Sequence, residues 1–243
     1  MPYRSIEYRT LQCSPVCNAQ QGRYRCKGGR FYERRNARMK ASELLAVALA
    51  ESGYVGKKTN SQLDDPAANP GGKFTKYARD LADAGYYNGN KNGFNYCAVF
   101  VDWCFYVAAG RNKETAFAVK PVNEYGASVR FIRCMFPEDR IFPTCAAGDQ
   151  VIFQDSAGVL THTGLVASVT GNSFKTIEGN ITNKYAVGTR SFAIDDPSVY
   201  CFVRPYYDPE IATITIPETE YNKLVFDAEA FRTIKALING NIP

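Results

Sequence analysis

Histidine is all but missing from this chain: His162 is the single one in 243 residues. Any thiolate chemistry that needs an imidazole base therefore has one partner available. Long apolar runs are missing too, and none approaches the roughly 20 residues that span a bilayer. Residues 1–38 hold no hydrophobic stretch of the kind a secretory signal needs. The run Leu44–Ala50 is followed by Glu51-Ser52 and preceded by Glu43, which reads as a packed helix rather than a signal. A basic body is also lacking. Residues 1–40 carry ten Lys/Arg against two Asp/Glu, whereas the other 203 carry nineteen against twenty-two. The net charge of +5 thus resides at the N-terminus, which argues against a nucleic-acid-binding body.

Nor is there a disulfide scaffold. The eight cysteines, Cys13, Cys17, Cys26, Cys97, Cys104, Cys134, Cys145 and Cys201, have no regular spacing. Cys13, Cys17 and Cys26 have no nearby histidine or fourth cysteine to complete a zinc site. They read as reduced thiols of a reducing compartment.

What is present is a globular composition, 45% hydrophobic and 22% charged, long enough for one domain with appendages. Residues 1–38 are Arg-rich without apolar periodicity and read as a disordered extension, with Met39 as the expected true start. From residue 39 to 207 the pattern is that of one domain. Ala41–Gly53 predicts an amphipathic helix capped by Ser42. A long Gly/Asn/Pro loop over 54–74 precedes a short helix over Phe74–Ala84, with Tyr77 and Leu81 inward. A second Gly/Asn loop over 86–95 leads to Cys97. There Ala98, Phe100, Val101, Cys104 and Phe105 repeat at helical spacing beside the single tryptophan, Trp103. Ala116–Pro121 reads as a connection and Tyr125–Phe136 as a helix.

The texture then changes to short Val/Ile/Phe/Thr segments over Asp149–Gln154, Thr163–Val169, Ser173–Glu178, Val187–Ile194 and Tyr200–Arg204. Turn residues bound each one, which predicts an antiparallel meander of about five strands. Helices followed by strands give an α+β fold. Residues 208–243 read as a linker and a C-terminal amphipathic helix over Glu218–Ile238, suited either to docking or to oligomerisation.

Cys97 falls in the first turn of a buried helix, where unpaired N–H groups and the dipole favour a thiolate and later an oxyanion. His162 stands at the start of a predicted strand. The next strand ends in Glu178-Gly179-Asn180, so Glu178 or Asn180 would supply the third group that orients the imidazole. Cys104, Cys134, Cys145 and Cys201 read as buried apolar thiols, and Asp149 as a turn-forming carboxylate. Asn88, Asn90 and Asn92 alternate before the cysteine, but neutral amides suit a turn better than a hard cation. No metal or cofactor is expected.

Four stretches, Tyr96–Val101, Gly148–Phe153, His162–Val166 and Ile177–Asn180, resemble the CHAP family of cysteine, histidine-dependent amidohydrolases and peptidases, related to NlpC/P60 and papain-like enzymes. The resemblance runs from about Ala41 to Tyr207 and is greatest to CHAP domains of phage endolysins and bacterial wall hydrolases. It implies a papain-like fold, Cys97 as nucleophile, His162 as base and Glu178 as the group orienting the imidazole. Asn180 would support the site by hydrogen bonding. It implies peptidoglycan as substrate and partner, with no nucleic acid or membrane. The expected localisation is synthesis in the cytoplasm and action on the wall after release or within a virion. Two rivals are an acyltransferase or peptidase on another amide, and an idle wall-binding or virion structural protein.

Overall fold

The computed structural model describes residues 39–122, 126–181 and 184–210, and seven separate positions between 219 and 232. The expected extension over 1–38, with Cys13, Cys17 and Cys26, lies outside the described residues. The chain divides into two compact units, Met1–Pro209 and Glu210–Pro243. In the second, the described positions are helical, and Phe226 and Phe231 are exposed. The rest of the expected C-terminal helix lies outside the described residues.

In the first unit, α1 (Ala41–Ala50) buries Leu44, Leu45 and Ala48. Its N-cap is Lys40, whose N–H donates to Glu43 Oε2 at 2.8 Å, so the predicted cap, Ser42, instead lies within the first turn. The glutamate three residues on supplies the acceptor, which is why a poor capping residue suffices. Helix α2 (Lys76–Asp83) is capped by Thr75, which accepts from Ala78 N–H, and buries Tyr77, Ala78 and Leu81. Helix α3 (Cys97–Ala108) has an unbroken buried run from Cys97 to Phe105. A helix apolar all round must be enclosed. It packs on α1 and α2 on one side and on the sheet on the other.

Two helical predictions need correction. The stretch read as a connection belongs to α4 (Lys113–Val119), which starts at Asn112, whose side chain accepts from Thr115 N–H. The helix predicted over Tyr125–Phe136 shrinks to α5 (Val129–Ile132) and a 3-10 turn over Arg133–Met135. Phe136 is already extended because it precedes Pro137, whose ring disfavours helical backbone before it.

The fold is α+β, with six strands: β1 (Ile141–Phe142), β2 (Gln150–Gln154), β3 (Leu160–Thr170), β4 (Ser173–Ile181), β5 (Ala186–Ala193) and β6 (Val199–Val203). The sheet order is β1-β6-β2-β3-β4-β5, antiparallel throughout. Only β2 to β5 form the predicted meander; β6 returns to pair with β2, and the two-residue β1 extends that edge. Asp149, 1% exposed, anchors the turn into β2. It accepts from Ala146 N–H and holds Arg204 through two 2.8 Å bonds, tying β2 to the end of β6. Against α3 the sheet comes close at Gly179, where a Cβ would lie 2.5 Å from that of Phe100. Among the described residues no helix is long and apolar enough to cross a membrane.

Candidate active site

Three backbone elements converge on one cavity. The first brings Cys97, the opening residue of α3 and 4% exposed. Its neighbour Tyr96 is buried, with its hydroxyl bonded to the Tyr185 carbonyl. The loop before it is tied down by asparagines: Asn90 accepts from Asn92 N–H, and Asn92 accepts from Thr75 N–H while donating to Asn60. Their oxygens therefore organise the loop rather than standing open to a cation. Among the described residues no group of three or more His, Cys, Asp or Glu could hold a metal ion.

The second element is β3, which carries His162, and the third is β4, which carries Glu178. Imidazole Nε2 lies 2.6 Å from Glu178 Oε2. Cys97 lines the same cavity as His162 and favours its protonated form. With Nε2 taken by the carboxylate, Nδ1 is the nitrogen left for the thiol. Glu178 has no exposed surface, yet every side of it is satisfied. Arg190 on β5 donates from Nε and Nη2, the latter at 2.6 Å, and Thr176 donates its hydroxyl. The Arg190 guanidinium lies over the rings of Phe192 and Phe153, 4.8 and 5.4 Å from their centroids, which fixes its plane.

Asn180 is brought to the same cavity, but its amide points to Asn95 Oδ1 at 3.4 Å and not to His162. Cys97, His162, Glu178 and Asn180, all singled out from the sequence, thus meet within one site. Arg190 and Thr176 were missed. Arg190 could have been found from cross-strand complementarity, since a buried glutamate on one strand asks for a cation on the next. Of the remaining thiols, Cys104 and Cys201 are buried as expected, while Cys134 and Cys145 are only half-buried. Burial holds the Cys104 thiol well above its ordinary range and pushes Cys201 up to about 12.

The electrostatics favour a charged pair. Burial works against a protonated His162, but the neighbouring Cys97 and the bonded Glu178 outweigh it, lifting the imidazole to about 9. Burial likewise works against an ionised Glu178, yet bonds from His162, Arg190 and Thr176 hold its carboxyl below the usual range. Near neutrality Nε2–H therefore donates to a carboxylate. His162, raised above its unfolded value near 6.5, adds stability that is complete below that pH and is lost as pH rises through about 9. Glu178, depressed, adds stability present above the ordinary carboxylate range and lost in acid. Unfolding free energy measured by urea titration should fall by roughly 3 kcal/mol from pH 6 to pH 9.5 on this account. The single imidazole also gives one NMR titration, with an expected midpoint near 9.

Gly164 makes the carboxylate's reach possible. A Cβ there would lie 2.4 Å from Glu178 Cγ and 3.1 Å from the Ile177 carbonyl. The glutamate side chain passes over the bare backbone of β3 to reach His162. In Gly164→Ala the side chain is displaced, and the imidazole midpoint should drop by about one unit or more toward its ordinary value. An unmoved midpoint would show that Glu178 does not need that space.

Chemically, this arrangement can ionise a thiol beside an imidazolium, offer it to an electrophile at the unpaired first-turn N–H groups of α3, and return a proton through His162. The CHAP domain model matches residues 86–180, a span that contains Cys97, His162, Glu178 and Asn180. No curated protein matches. Among solved structures, the crystal structure of Ly7917 is similar at 13% identity and a TM-score of 0.42, covering 68% of this chain and 62% of that one. The crystal structure of Ly7917 with the hydrolyzing product of MDP is similar at 13% identity and a TM-score of 0.41, covering 68% and 63%. The chain thus spans less than two-thirds of the length of either. Residues 86–180 are thus similar to the CHAP domain, a family of cysteine, histidine-dependent amidohydrolases and peptidases.

Proposed function

We propose that this protein hydrolyses an amide bond of bacterial peptidoglycan through a cysteine nucleophile, in the manner of a phage or prophage lysin. The observation that carries the reading is that Cys97 and His162 line one cavity, with the imidazole bonded to the buried Glu178 behind it. Cys97 attacks the carbonyl as a thiolate, and the oxyanion faces the first-turn N–H groups of α3. His162 gives its proton to the leaving amine, forming the acyl-enzyme, then takes a proton from the attacking water. Glu178 keeps the ring in register and offsets its charge, as a buried carboxylate does in a triad. Asn180, bonded to Asn95, shapes the rim beside the thiol. The catalytic domain is residues 39–207, with 1–38 and 208–243 as appendages, the C-terminal one suited to docking or oligomerisation.

The test is digestion of purified cell walls followed by mass spectrometry of the released fragments. New amino termini at a single kind of peptide bond, or free L-alanine termini with intact glycan, support the reading and say which bond is cut. Walls that release neither would reject it in favour of an idle site or another amide substrate.

A further inference from the structure

The cavity beside Cys97 has a volume of about 320 Å³ and is lined mostly by polar residues, among them Asn95, Thr161, Asn180 and Tyr185. It contains one residue of fixed charge besides the reacting pair: Lys73. Among the described residues no carboxylate lines the cavity, and Glu178 is completely buried behind His162. With no carboxylate there to offset it, the lysine gives the cavity wall a positive charge.

Three observations make Lys73 a placed group rather than a stray surface lysine. Its backbone is fixed, because its carbonyl accepts from Gly93 N–H in the loop leading to Cys97, and the next residue, Phe74, exchanges both backbone bonds with Lys57. Its ammonium has no hydrogen-bond or ion-pair partner among the described residues. Three carboxylates near it in the chain are committed elsewhere: Asp80 and Asp64 to Arg79, and Asp65 to Ala67 N–H. An unpaired cation in the wall of a small polar cavity is a recognition group for an anion.

We propose that Lys73 reads a carboxylate on the peptide chain of the substrate, at or next to the residue whose amide is cleaved. This rests on the hydrolase reading and narrows its substrate class to peptides that carry a free carboxyl there rather than a carboxamide. The cavity is small enough that a group meeting Lys73 belongs to the immediate neighbourhood of the scissile bond. A carboxylate accepts a charge-assisted bond from the ammonium. A carboxamide offers only a neutral oxygen and brings an N–H₂ group that the lysine cannot accept from.

The experiment compares muramoyl tetrapeptides with every peptide carboxyl free against the same peptides with every carboxyl converted to carboxamide. Binding is measured by calorimetry on the Cys97→Ala protein, where nothing turns over, and hydrolysis on the wild type. The acid form should bind about tenfold more tightly, and raising the salt concentration should narrow that ratio. Lys73→Met should bring the ratio to about one with thermal stability kept, and Lys73→Arg should restore it. A ratio near one in the Cys97→Ala protein, or a tenfold ratio that survives Lys73→Met, would overturn the assignment. Preference for the acid without cleavage by the wild type would sink the hydrolase reading and leave Lys73 as an anion-binding residue.

Discussion

Cys97→Ala is expected to leave cell walls as intact as the buffer control, a loss of at least about 10⁴ in turnover, while the domain remains folded. Alanine keeps the Cβ and is the residue best suited to a helix, so the start of α3 is undisturbed. Only the sulfur is lost from a position already at the rim of a cavity, and about 1 kcal/mol or less of stability should go with it. A second readout separates a catalytic thiol from a packing one. His162 owes part of its elevation to Cys97, so the variant's imidazole should titrate below the wild-type midpoint near 9. The fall in stability between pH 6 and pH 9.5 should shrink with it. Digestion that persists in Cys97→Ala would end the nucleophile assignment, whatever the stability shows.

Lys120→Met is expected to cost about 3–5 kcal/mol of stability, far more than a usual lysine substitution. Lys120 and Asp102 form an ion pair at 2.5 Å whose side chains are only 1% and 4% exposed. The pair links the end of α4 to the middle of α3, and Tyr87 donates its hydroxyl to the second Asp102 oxygen at 2.5 Å. Removing the ammonium leaves a carboxylate out of water with one neutral donor, which is the costly case for buried charge. The double variant Asp102→Asn, Lys120→Met should recover a large part of the loss, because no charge is then stranded. Urea unfolding followed by the fluorescence of Trp103, the single tryptophan, reads α3 directly. A single variant that loses less than about 1 kcal/mol would mean that water reaches Asp102.

Much of the site was legible before any coordinates because its chemistry is local. Cys97 announced itself through a Gly/Asn loop running into an apolar helix, and His162 by having no competitor. Glu178 followed from strand alternation and a short hairpin, which bring ends of neighbouring strands together. What escaped depended on contacts far apart in sequence. The partnership of Lys120 with Asp102 joins two helices, and that of Arg190 with Glu178 joins two strands, so neither leaves a local pattern. Helix α4 was hidden because seven residues before a proline give too few turns for a period to show. The return of β6 to β2 is a choice among open sheet edges that no hydrophobic alternation encodes.

The bare contact at Gly179 sets a tolerance for the whole site. The helix bearing the thiol and the sheet bearing the imidazole are held apart there by main chain against the base of one phenylalanine. A spacer without rotatable bonds cannot adjust, so the reach from sulfur to nitrogen is machined into the backbone rather than tuned by side chains. A single methyl at that position would act as a shim, and the error would be read out several residues away, at the reacting atoms.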